Sequence, residues 1–217
     1  MKLNRQKNQW KRWAVGIVGA IALLTTFKAC SGHQTALLPS TRGEFPPLVM
    51  RGGDPYIRAL MRTISASESN VERPYAVIYG GEYMSDLDSH PDKCVRIVSG
   101  PNVNNCSTAA GRYQFITTTW EEMAQRYHPN PSGFLFWKSY SFQPQYQDEV
   151  VYAWLSDEQV WGADISELLR QGKIEKVLSM LSGTWTSLGY GIEDNSMTPY
   201  LPQIYQEMLE AELKKAR

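Results

Sequence analysis

The chain has no excess of charge of either sign: 22 Lys and Arg balance 22 Asp and Glu over 217 residues. A nucleic-acid-binding module usually shows a basic excess, so that class is set aside. Cysteine and histidine are scarce, three each (Cys30, Cys94, Cys106; His33, His90, His128), and no C-x-x-C pair is present, which removes the common zinc frameworks. There is no G-x-S-x-G elbow for a serine hydrolase. Gly52-Gly53 and Gly80-Gly81 lack the spacing of a phosphate-cradling loop. Asp86, Asp88 and His90 alternate as metal ligands on a strand could, but short acidic turns before proline are common, so no metal and no cofactor are expected.

What is present fits a folded domain with an appendage. Hydrophobic residues make up 42% and charged residues 20%, enough for a globular core. Twelve Tyr, seven Trp and six Phe serve either as core or as rings that stack on sugars. Lys2, Arg5, Lys7, Lys11 and Arg12 precede an apolar run, Trp13 to Phe27, the pattern of a signal peptide or an uncleaved anchor. Its fifteen residues fall short of the ~20 that span a bilayer comfortably. Phe27-Lys28-Ala29 is a poor lipidation box for Cys30. Three parts are therefore expected: 1–30 a signal or signal-anchor segment, 31–50 a flexible linker, and 51–217 the folded domain. The product is exported, facing the periplasm or cell wall, with residues 13–29 as a membrane contact if they are retained. Export permits a Cys94–Cys106 disulfide across a short loop, but the sequence does not decide it.

Within the domain, Asp54 is a candidate N-cap and Pro55 suits the first helical position. Ile57, Leu60, Met61 and Ile64 then share one helical face. Glu68 extends that face at the helix C-terminus. An apolar setting and the negative end of a helix both disfavour the charged carboxylate, a setting suited to a general acid. Periodicity alone equally allows Glu68 to lie beyond the helix and face water. Tyr75–Gly81 reads as a short strand ending in a turn, with Cys94–Val98 as its partner. Thr118 with Glu121, or Thr119 with Glu122, would form a capping box for the next helix. A loop rich in proline, asparagine and aromatics runs from His128 to Pro144. Further helices are expected from Pro144, over Ile165–Arg170 and Ile174–Leu181, and from Thr198-Pro199. Many helices and one small β element make a mostly helical α+β domain.

Several spaced motifs now stand in order: Ser67-Glu68; Val77-Ile78, Gly80-Gly81-Glu82, Asp86 and His90-Pro91; Ser107-Thr108, Ala110 and Gly111-Arg112-Tyr113-Gln114; Trp120, Gln147-Asp148, Trp185, Ser187-Leu188 and Gly189-Tyr190-Gly191. In this order they resemble the lambda-lysozyme family, the phage lambda endolysin type of peptidoglycan lytic transglycosylase, over residues 54 to 213. The chain departs from that pattern at Ser69-Asn70, where the family has Gly-Thr, and at Asp88-Ser89, with the acid one place early. The loop before Gly189 is shorter, and the aromatic stretch around Phe134–Tyr140 looks like an insertion. The first fifty residues have no counterpart.

The resemblance implies a lysozyme-like fold, a cleft between a β hairpin and a helical lobe, and Glu68 as the catalytic acid and base. It implies Tyr113, Gln114, Tyr190 and Gly81 along the sugar groove, with Arg112 structural. The implied partner is the peptidoglycan glycan strand, met by a monomer without a cofactor. The implied reaction ends the muramic acid as a 1,6-anhydro sugar. A hydrolytic muramidase using Glu82, Asp86 or Asp88 as second carboxylate, and a non-catalytic peptidoglycan-binding protein, are the competing expectations.

Overall fold

The computed structural model describes residues 45–98, 102–134, 137–191 and 196–216, all within one compact unit. The expected export segment, Cys30 and the linker up to residue 44 lie outside the described residues. Among the described residues no helix is long and apolar enough to cross a membrane.

The central helix α1 runs Pro55–Glu68, begun by Asp54, whose Oδ1 accepts from the amides of Tyr56 (2.8 Å) and Ile57 (3.3 Å). Ile57, Leu60, Met61 and Ile64 are all buried, as their spacing requires. Around α1 stand α2 (Thr117–Tyr127), α3 (Pro144–Leu155), α4 (Glu158–Trp161), α5 (Ile165–Arg170), α6 (Ile174–Leu181) and α7 (Leu201–Lys215), the last entered through a 3₁₀ turn at Thr198–Tyr200. The buried Glu212 pins α7 to α1 by accepting from Arg58 Nε (2.7 Å) and Arg62 (3.0 Å).

The β lobe differs from the expectation. Tyr75–Gly81 is not a strand but a 3₁₀ turn at Pro74–Ala76 followed by two isolated bridges, Val77 to Tyr83 and Ile78 to Ala110. The partner of β1 (Val95–Arg96) is β2 (Cys106–Ser107), antiparallel. Cys94 and Cys106 are bonded there with Cα atoms 5.4 Å apart. A second hairpin, β3 (Ser132–Phe134) with β4 (Trp137–Ser139), occupies the stretch read as a loop. Gly133 turns into positive φ there, and a Cβ on it would collide with the backbone of Trp137.

Neither capping box forms. The N-cap of α2 is Ile116, and Thr118 and Thr119 lie inside the helix. Its first turn is held instead by Thr108 Oγ1 accepting from the Thr117 amide (3.0 Å). The domain also begins before residue 51. Residues 45–50 pack on it, Leu48 and Met50 buried, so part of the expected linker is a strap. Arg62 donates to the Phe45 carbonyl (2.8 Å), and Arg112 to those of Pro46 (2.6 Å) and Pro47 (2.9 Å). Asp148 Oδ2 accepts from the amides of Val49 (2.8 Å) and Met50 (3.1 Å).

Candidate active site

A cleft of about 820 Å³ opens between the β lobe and the helices, with Glu68 in its wall. The helix places it: Glu68 is the last residue of α1, half-buried where the backbone turns away. The next residue fixes that turn, because Ser69 Oγ donates to the Arg112 carbonyl at 2.6 Å. Ser69 thus carries a hydroxyl that ties the end of α1 to the Gly111–Gln114 run. Ser187 Oγ donates to Glu68 Oε1 at 2.5 Å and lies 3.0 Å from Ser67 Oγ. Trp185 Nε1 donates to the Tyr113 carbonyl at 3.1 Å, joining the 183–187 loop to the opposite wall.

Beneath the cleft is a buried polar cluster. Asp148 is fully buried and accepts from Tyr113 (2.7 Å) and Tyr75 (2.8 Å) besides the strap amides. Gln147, equally buried, accepts from the Arg112 amide (2.9 Å) and donates to the carbonyls of Tyr75 (3.0 Å) and Phe142 (2.8 Å). Gly111 sits at φ +73°, and a Cβ there would meet Phe142 Cζ at 2.7 Å and the Gln147 side chain. Only glycine fits that approach. The Gly-Arg-Tyr-Gln run is thus held by buried groups that never reach the cleft.

The expected site residues separate accordingly. Glu68, Tyr113 and Gln114 line the cleft together. Tyr113 does so while buried; burial and then Asp148 push its hydroxyl pKa well up, so it stays a proton donor to Asp148. Gln114 is half-buried at φ +47°, its Nε2 donating to the Gly111 carbonyl (3.0 Å), and its Oε1 has no donor among the described residues. Tyr190 and Gly81 are exposed and do not line the cleft; burial and then Glu175 raise the Tyr190 pKa.

The three candidate second carboxylates are elsewhere too. Glu82 is exposed and paired with Lys93 (2.5 Å), and Asp86 Oδ1 caps its own turn by accepting from the Asp88 amide (2.8 Å). Of the described carboxylates, only Glu122 on α2 shares the cleft with Glu68. His90 is not free for a metal: Nε2 bonds the Phe115 carbonyl (2.8 Å) and Nδ1 accepts from the Asp92 amide (3.2 Å). Ser187 stood in the sequence only as part of the Ser187-Leu188 motif; its contact with Glu68, 119 residues away, had no local signal.

This is a lysozyme-like fold. The structure aligns with bacteriophage lambda lysozyme complexed with a chitohexasaccharide at a TM-score of 0.54 and 25% identity, over 73% of this chain and 97% of that one. A second structure, lysozyme from bacteriophage lambda, aligns at 0.54 and 22% identity over the same shares. The chain belongs to the Endolysin family, whose model matches residues 58–210. It is 31% identical over 120 residues to the endolysin of Escherichia phage lambda, a match covering 54% of this chain and 64% of that protein.

Proposed function

We propose that the chain cleaves peptidoglycan glycan strands as a lytic transglycosylase, with Glu68 as both acid and base. The observation that carries this reading is Glu68 at the end of α1, half-buried in the cleft wall and held by Ser187 at 2.5 Å. Family membership and the chitohexasaccharide bound by lambda lysozyme support a glycan substrate.

Protonated Glu68 donates to the oxygen linking N-acetylmuramic acid C1 to the next sugar, and the C1–O bond breaks. The carboxylate then takes the proton from the C6 hydroxyl of the same muramic acid as O6 bonds to C1. One carboxylate completes the cycle, water does not enter, and the product is a 1,6-anhydromuramyl end. Ser187 orients Glu68, and Gln114, which lines the same cleft, accepts at Oε1 from a sugar amide.

The positions of Glu82, Asp86 and Asp88 away from the cleft favour this route over hydrolysis. A hydrolytic muramidase would require Glu122 as its second carboxylate, the one other described acid on the cleft wall. The basic and apolar start of the chain belongs to the same reading, as the export or anchoring segment that brings the domain to the wall.

Mass spectrometry of fragments released from purified peptidoglycan by the full chain tests the proposal. Fragments one water lighter than hydrolysis products are expected, and Glu68→Gln abolishes release while wall binding persists. Reducing muramic acid ends would refute transglycosylation and direct attention to Glu122. Undiminished lysis by Glu68→Gln would refute the assignment of Glu68.

A further inference from the structure

The cleft continues past Glu68. Ile97, Asn102, Ser107 and Ile116 line both the cleft and an adjoining hollow of about 430 Å³. Asp92, Thr117 and Thr118 line both that hollow and a third, of about 860 Å³. The three hollows therefore adjoin in a row that starts at Glu68, passes the first turn of α2 and ends against the β3–β4 hairpin, the course a bound chain would follow. Lys138, Ser139 and Tyr140 make its far wall.

Among its described residues the hairpin carries two large aromatics with no packing role. Phe134 is 78% and Trp137 85% exposed, and they are direct cross-strand partners, so both rings leave the same face. Trp137 is two residues from Ser139 on the same side of the strand, next to the wall that Lys138, Ser139 and Tyr140 make. Within the groove the surface is hydroxyl- and carboxylate-rich: Thr117, Thr118, Ser139, Asp92, Glu121 and Glu122. Rings at the rim of a hydrogen-bonding trough suit a pyranose chain, which offers C–H faces to the rings and hydroxyls and amides to the trough.

We propose that this groove, ending at Trp137 and Phe134, is an accessory binding site for a β-linked N-acetylamino-sugar chain, gripping the strand several sugars away from Glu68. The inference rests on the proposed function. A membrane surface fits less well, because three carboxylates face the hollow beside the hairpin against one lysine, and anionic headgroups would be repelled.

The test compares the full chain with the Phe134→Ala/Trp137→Ala variant and a Trp137→Tyr control. Substrates are long peptide-free glycan strands and short tetrasaccharides from the same wall. The double variant is expected to lose about tenfold in kcat/KM on long strands, ~1.4 kcal/mol. It should keep wild-type rates on tetrasaccharides and an unchanged melting midpoint, with Trp137→Tyr restoring most of the loss. Strand co-sedimentation in a Glu68→Gln background should fall by the same factor. Equal rates and equal strand binding would overturn the proposal. So would loss of binding to phosphatidylglycerol vesicles with strand binding intact, which would make the hairpin a membrane contact. If the wild type binds strands but cleaves neither substrate, the proposed activity fails, and the co-sedimentation loss alone decides the groove.

Discussion

Replacing Asp148 by asparagine probes the cluster beneath the cleft without changing its shape. The carboxylate accepts four hydrogen bonds, three of them on Oδ2 from Val49, Met50 and Tyr75. The two amide donors cannot turn round, so the asparagine nitrogen must take the Oδ1 position, where the Tyr113 hydroxyl can rotate to accept. The three remaining bonds then go to a neutral oxygen. Hydrogen bonds to charged groups contribute ~1.5–3 kcal/mol against ~1 for neutral ones. The buried Arg112 guanidinium, linked to Asp148 through the Tyr75 hydroxyl (2.9 and 2.8 Å), also loses its countercharge. Breaking a buried charge pair costs about 3–5 kcal/mol, and since these losses overlap, that range is the expected total. For a domain of this size it lowers the melting midpoint by on the order of 10 °C. Urea unfolding followed by tryptophan fluorescence measures it, and limited proteolysis should show new cleavage near Val49 and Met50 as the strap loosens. A destabilisation below ~1 kcal/mol with an intact strap would refute the reasoning.

Ser187→Ala should lower kcat by about tenfold, with KM and the melting midpoint little changed, since the lost contact orients one carboxylate; an unchanged kcat would remove Ser187 from the mechanism. His90 and His128 both sit below their usual pKa of 6.5, chiefly through burial, and each accepts a backbone N–H at Nδ1. Because the folded pKa is depressed, the stability is present above pH 6.5 and lost as pH falls through the folded values. Midpoints measured from pH 7.5 to 5 should therefore drop, and the drop should shrink in His128→Gln. Reducing Cys94–Cys106 should destabilise the domain by ~2–3 kcal/mol, as expected for so short a loop, and raise KM, because Ile97, Asn102 and Ser107 in that lobe line the cleft. A KM insensitive to reduction would show that the lobe keeps its shape unaided.

The helical frame was legible because its signals are local. Asp54 and Pro55 mark the start of α1, the spacing of Ile57 to Ile64 marks its buried face, and α5 and α6 fall on the residues their periodicity marks. The β lobe was not, because pairing is decided by what lies across, not along, the chain. Val95 pairs with Ser107 rather than with the 75–81 stretch, and Val77 and Ile78 are buried without a ladder. Threonines before a helix suggested capping, but the hydroxyl that holds the first turn of α2 belongs to Thr108. At the site, Glu68 was visible as a carboxylate on an apolar face. Its partner Ser187, and the burial of Tyr113 with its hydroxyl on Asp148, depend on contacts made only in the folded chain.

The strap sets the length of the leash. Arg112 and Asp148, both fully buried, find partners on the backbone of residues 46–50, so a cut after Met50 would leave a guanidinium and a carboxylate short of them. Release from the N-terminal segment must therefore fall before Phe45 if the domain is to stay whole. Were residues 13–29 to stay in a membrane, as the proposed reading allows, the fifteen residues 30–44, fully extended, would reach at most about 54 Å. That distance fixes how deep into the wall a tethered copy can graze; a released copy has no such bound.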